Sequence, residues 1–84
     1  MKYAKLVAKN VQGVNTLIQE LKRARFNVVE VYTDPYAVDN TTVFVFSTLR
    51  GSVEPARSLI RDYNGSAYCE PVHLTAAEFE AYTS

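Results

Sequence analysis

From Lys2 onward the chain alternates, with Ala4, Leu6 and Ala8 on one side and Tyr3, Lys5, Val7 and Lys9 on the other. That period of two predicts a half-buried strand over 2–9. The period then changes: Val14, Leu17, Ile18, Leu21 and Ala24 recur at helical spacing, with Asn15, Gln19, Lys22 and Arg23 opposite. Helix one is predicted over 13–25, with Asn10 placed to cap its start. Residues 27–33 are rich in β-branched side chains and stop at Asp34-Pro35, which predicts strand two. A loop over 34–40 carries a second turn signal at Asp39-Asn40, and 41–48 is an almost unbroken run of β-formers that suits a central strand.

Gly51-Ser52 breaks the strand pattern, Ser52 can cap, and Pro55 falls in a first turn where its missing N–H costs nothing. Ala56, Leu59, Ile60 and Tyr63 form the apolar stripe of helix two, which is expected to end at Asn64-Gly65. Strand four, over 67–73, contains Pro71, and a proline that cannot donate to the ladder places the strand at a sheet edge. Thr75 and Glu78 have capping-box spacing, and Leu74 and Phe79 have hydrophobic-staple spacing, so a short third helix is predicted over 76–82. The order strand, helix, strand, strand, helix, strand is that of an α+β, ferredoxin-like split βαβ domain: a four-stranded antiparallel sheet with two helices on one face. The other sheet face stays open unless the terminal helix, through Phe79 and Tyr82, closes over it.

The length of 84 residues allows one domain spanning 1–84, and a chain this short has a thin stability margin, so a homodimer is expected. Apolar residues make up 48% and charged residues 21%, which excludes the disordered and low-complexity classes. The longest aliphatic and aromatic run, Val43 to Phe46, is far too short to cross a bilayer, and 1–10 lacks a signal peptide's apolar segment. A cytoplasmic, soluble protein without a membrane partner is expected. Net charge is zero, yet residues 1–25 hold six Lys or Arg against Glu20 alone, while 26–84 hold three Arg against eight acids. A general nucleic-acid coat would need a basic excess, so only a local basic patch or head-to-tail pairing fits this polarity.

Nucleophilic catalysis needs a base within about 3 Å of the nucleophile. His73 is the only histidine and Cys69 the only cysteine. Four residues apart on a strand they are about 13 Å from each other, so no dyad is expected. Glu70 points to the other side of the same strand, so neither a metal site nor a cofactor is expected. The carboxylates Asp34 with Asp39, and Glu78 with Glu80, suit solvated turn and surface roles.

The segment 10–14 joins strand one to helix one, and a glycine there lets backbone N–H groups approach an anion. Val11-Gln12-Gly13-Val14 resembles the phosphate-cradling motif of acylphosphatases. Thr16 and Leu17 stand where that family continues to an aromatic and its essential arginine, so no enzymatic activity is expected. A longer stretch, roughly 3–70, resembles the ACT domain, a regulatory module that binds amino acids or similar effectors. The likeness lies in the loop ending at Gly13, in Leu17 to Leu21, and in Phe26-Asn27-Val28-Val29-Glu30-Val31 at the start of strand two. The resemblance implies effector binding by Asn10, Gln12, Gly13, Val14 and Asn27, at a dimer interface. The alternative is that Gly13 is a tight-turn glycine and Asn27 a polar residue at a strand start.

A third resemblance, to the RNA recognition motif, rests on Phe44 and Phe46. If they point to the open face they stand beside Tyr3, Lys5, Lys9 and Tyr32, where bases could stack. The opposite register puts both phenylalanines in the core. These patterns lead to the expectation of a non-enzymatic regulatory or interaction module that binds a small effector or docks on another protein, with Tyr36, Tyr32 or Tyr68 as aromatic anchors. The alternative is a single-stranded RNA-binding domain that uses the open sheet face.

Overall fold

The computed structural model of the chain describes residues 1–33, 41–63 and 69–83. The elements are β1 (Lys2–Lys9), α1 (Val14–Arg23), β2 (Phe26–Thr33), β3 (Thr41–Thr48), α2 (Glu54–Tyr63), β4 (Cys69–Leu74) and α3 (Ala76–Thr83). The strands form one antiparallel sheet in the order β2-β3-β1-β4. Each βαβ unit is split, because β3 lies between β1 and β2, and β1 lies between β3 and β4. This is the ferredoxin-like α+β arrangement that the element order predicted. The expected turns at Asp34-Pro35 and Asp39-Asn40, the helix stop at Asn64-Gly65, the strand start at Ala67, and Tyr36 and Tyr68 lie outside the described residues.

The core is asymmetric about the sheet. Ala4, Leu6 and Ala8 of β1 lie on the same face as Phe44 and Phe46 of β3, since Ala4 pairs with Phe46 and Leu6 with Phe44. Against that face pack Leu17 and Leu21 of α1 and Ala56 and Ile60 of α2, with Phe26, Val53 and Cys69 completing the cluster. Phe44 and Phe46 are 0% exposed. They are core residues, and the open-face register considered for them is corrected: the larger side chains of β3 fill the deep space under two helices. The opposite face carries Val43 and Val45, which pack with Phe79 of α3 and with the half-buried Tyr3, Val7, Val29, Tyr32, Leu74 and Tyr82. The terminal helix therefore closes the face that α1 and α2 leave uncovered.

Local signals account for much of this. Thr75 Oγ1 accepts from the Glu78 N–H at 3.1 Å, and the Glu78 carboxylate accepts from the Thr75 N–H at 3.0 Å, which is a reciprocal capping box. Its ionised form is favoured by these bonds, chiefly the backbone one, so the Glu78 pKa lies below the ordinary carboxylate value. Ser52 Oγ accepts from the Glu54 N–H at 3.1 Å, just ahead of α2. The start of α1 departs from expectation. Its N-cap is Gly13, in the left-handed region at φ 66, with no side-chain cap, while Asn10 is itself left-handed at φ 56. Asn10 lies three residues too early to cap, and the turn between them needs two left-handed residues, which Asn and Gly supply at low cost.

Candidate functional site

The residues proposed for an effector loop are not brought together within one chain. Gly13 follows the Lys9 end of β1, whereas Asn27 pairs with Ser47 next to the Phe26–Thr48 pair, at the Lys2 end. A strand of 8 residues separates them by roughly 20–25 Å at about 3.3 Å per residue. A Cβ built on Gly13 would meet nothing within 4 Å. Its glycine is explained by the positive φ of the turn. Gln12 is exposed and Val14 is half-buried at the first turn of α1, and Val11 and Val14 pack against the core edge.

The open-face candidates divide as well. Tyr3 packs on Phe79 with ring centroids 4.7 Å apart, and Tyr32 stacks on Tyr82 at 6.3 Å. Both are half-buried beneath α3. With Phe44 and Phe46 on the other face, the stacking platform suggested by the RNA recognition motif resemblance loses both phenylalanines and keeps only the half-covered rings of Tyr3 and Tyr32. Lys5 and Lys9 remain half-buried on this face.

A concave site does exist, at the Lys2 end. A cavity of about 350 Å3 is lined by Met1, Arg25, Asn27, Ser47, Thr48, Leu49 and Arg50. A second hollow of about 250 Å3, lined by Lys22, Arg25, Phe26 and Asn27, adjoins it. Arg25 and Asn27 belong to both. Three segments meet here because β2 begins and β3 ends opposite one another: Phe26 pairs with Thr48, and Asn27 with Ser47.

The walls of this cleft are tied down by hydrogen bonds. Thr48 Oγ1 donates to the Arg25 carbonyl at 3.2 Å and accepts from the Arg50 N–H at 3.0 Å. The Arg50 guanidinium donates to the Ala24 carbonyl at 3.1 Å and lies 5.6 Å from the centroid of the Phe26 ring. Phe26 in turn meets Phe46 edge to face at 5.3 Å. Arg50 is thus positioned by the core through Phe26, and among the described residues one of its five N–H donors is committed, to the Ala24 carbonyl. Asn27 Nδ2 contacts Ser47 Oγ at 3.5 Å, at the limit of a hydrogen bond. At the rim Leu49 is 82% exposed and Met1 70%.

Electrostatically this end collects charge that is dispersed along the chain. Lys2, Lys22, Arg23, Arg25 and Arg50 all lie here, because α1 ends, β1 and β2 begin and β3 ends at this side of the sheet. Nearby acids have partners: Glu20 pairs with Arg23 at 3.3 Å and Glu54 with Arg57 at 3.5 Å, and Glu78 closes the α3 cap. Among the described residues neither Arg25 nor Arg50 enters an ion pair.

Cys69 and His73 share the helix-side face, opposite Ala8 and Ala4 respectively. Cys69 is buried, and burial, opposed by Arg57 and Arg61, pushes its thiol from 9.0 up to about 11. Its carbonyl accepts from Arg57 Nε at 3.1 Å. A thiol so placed is a core side chain rather than a nucleophile. No helix among the described residues is long and apolar enough to cross a membrane.

Of the cleft residues, sequence reasoning named only Asn27. Two signals pointed to the others. Arg25 occupies the position after a helix that glycine usually takes, and Leu49 is a large apolar residue in a turn otherwise made of Arg50, Gly51 and Ser52. Comparison with protein-family profiles, curated proteins and solved structures finds no match for this chain.

Proposed function

We propose that this domain is a non-enzymatic regulatory or interaction module that docks on another protein through the cleft between the α1–β2 turn and the end of β3. The observation that carries this reading is Leu49, 82% exposed beside Arg25 and Arg50 at the mouth of a cleft of about 350 Å3. An exposed apolar side chain flanked by arginines is a composition enriched at protein interfaces. The small-effector reading finds less support, because Asn10, Gln12 and Gly13 stand a strand length away from Asn27.

The test is paired. Wild-type protein and Leu49→Asp are used to capture partners from extracts of the native cell, while both are screened by thermal shift against amino acids, nucleotides, phosphate and short RNA. Leu49→Asp leaves folding intact, since its side chain is in solvent. The docking reading expects a partner that wild type recovers at least about tenfold better than Leu49→Asp, a difference of ~1.4 kcal/mol. It expects no shift with the small molecules. A ligand at about 100 times its dissociation constant adds about 2.7 kcal/mol, several degrees in so small a domain. A shift of that size with an amino acid would replace docking by effector sensing.

A further inference from the structure

Arg25 stands at φ 70, in the left-handed region. Its N–H donates to the Lys22 carbonyl at 3.1 Å, closing the C-terminal turn of α1, and its carbonyl accepts from Thr48. For a residue with a Cβ this conformation is strained, and glycine or asparagine would fill the same turn at lower cost. An arginine standing where the backbone favours glycine points to a use for its side chain. Arg25 lines both hollows and has no ion-pair partner among the described residues, and Arg50, which lines the larger one with it, is held in place by Ala24 and Phe26.

From this we infer that the cleft takes a short acidic segment of a partner protein, one or more carboxylates meeting Arg25 and Arg50 while an adjacent apolar side chain covers Leu49. The inference rests on the docking reading above and adds the chemistry of the occupant. Guanidinium groups match carboxylates through paired N–H donors, and a preorganised arginine gives up less freedom on binding. The apolar rim of Leu49 and Met1 favours a peptide over a nucleic-acid backbone, which would leave it uncovered. The aromatic rings nearest the site are also unavailable for base stacking, since Phe26 and Phe46 are both buried.

The experiment is selection of random short peptides displayed on phage against the intact protein, with the selected consensus then titrated as a labelled synthetic peptide by fluorescence anisotropy. The expected result is enrichment of aspartate and glutamate next to an aliphatic or aromatic residue. Affinity should fall at least about tenfold in Arg25→Gly and in Leu49→Asp, and decline with added salt. Arg25→Gly suits the turn and retains the fold, so loss of binding there is not loss of structure. Circular dichroism of each variant checks this, and Arg50→Ala provides a second cation deletion.

Peptides without acidic enrichment that still depend on Leu49 would overturn the acidic-segment inference and leave docking at the cleft standing. Peptides indifferent to Arg25, Arg50 and Leu49 would overturn both. Failure to select any peptide would overturn the inference, and docking would then be judged on capture of folded partners alone. Equal binding of a single-stranded RNA of matching charge would replace the peptide by a polyanion. Sedimentation showing a dimer that Leu49→Asp dissociates would make a second copy of this chain the occupant instead.

Discussion

The two faces of the sheet are built on the same central strand and differ in how they are covered. On one, Phe44 and Phe46 meet two ten-residue helices whose apolar stripes each face the sheet. On the other, Val43 and Val45 meet a single eight-residue helix anchored by Phe79 and Tyr82. The first cover is threaded into the fold, because α1 and α2 are the crossovers that connect the strands. The second is appended after the last strand, joined through Thr75 alone, and its removal would leave every strand connection in place. Removing a helix-side residue therefore has to damage the whole fold. Damage on the α3 side is limited by the free energy with which α3 docks, since the helix can leave before the sheet does.

The largest test of this contrast is Phe46→Ala, which should cost about 3–5 kcal/mol in equilibrium denaturation, enough to unfold much of so small a domain. Phe79→Ala should cost less, about 1–3 kcal/mol, because the loss saturates once α3 is free. Amide hydrogen exchange separates the two: Phe79→Ala should expose α3 while protection of β1 and β3 persists. If both variants lost protection uniformly, the two faces would form one cooperative unit and the distinction would fail.

Thr75→Ala is a smaller perturbation, about 1 kcal/mol for loss of a helix cap, again confined to α3 amides. Acid should act on the same cap. The Glu78 pKa is lowered in the folded state, so its contribution is present above the unfolded carboxylate pKa and is lost as pH falls through the lower folded value. Protection of α3 should decline in that acid range, and Glu78→Gln should abolish the dependence.

Cys69 reports on the helix side, at alkaline pH. With its pKa raised from 9.0 to about 11, it favours the folded state below pH 9 and withdraws that contribution as pH rises from 9 toward 11. At pH 8 a thiol reagent should modify Cys69 far more slowly in the folded protein than in urea. Equal rates would place the helix-side face among the locally opening regions.

The aromatic pairs explain why the sheet face was hard to interpret from the chain alone. Tyr3 and Tyr32 have the composition of an exposed binding surface, yet in the fold they bed Phe79 and Tyr82. The terminal helix could be located from its capping box and staple, which are local signals. Its docking on the open face through Phe79 and Tyr82 was legible as one alternative, which the structure realises; no single stripe selected it, because Ala76, Ala77 and Ala81 spread apolar surface around the helix and leave two aromatic residues to orient it.

Periodicity, turn residues and caps determined the order of strands and helices, the edge position of β4 through Pro71, and the central position of β3, because each of these depends on neighbours a few residues away. The tertiary structure alone decided which way β3 faces. Every residue from Thr41 to Thr48 is buried, so its period of two carries no sign until two helices on one side and one on the other assign the phenylalanines to the deeper space. It alone also made the cleft: Arg25 and Arg50 are adjacent only because the end of β3 pairs with the start of β2, and a long-range pairing of that kind leaves no trace in the spacing of residues along the chain.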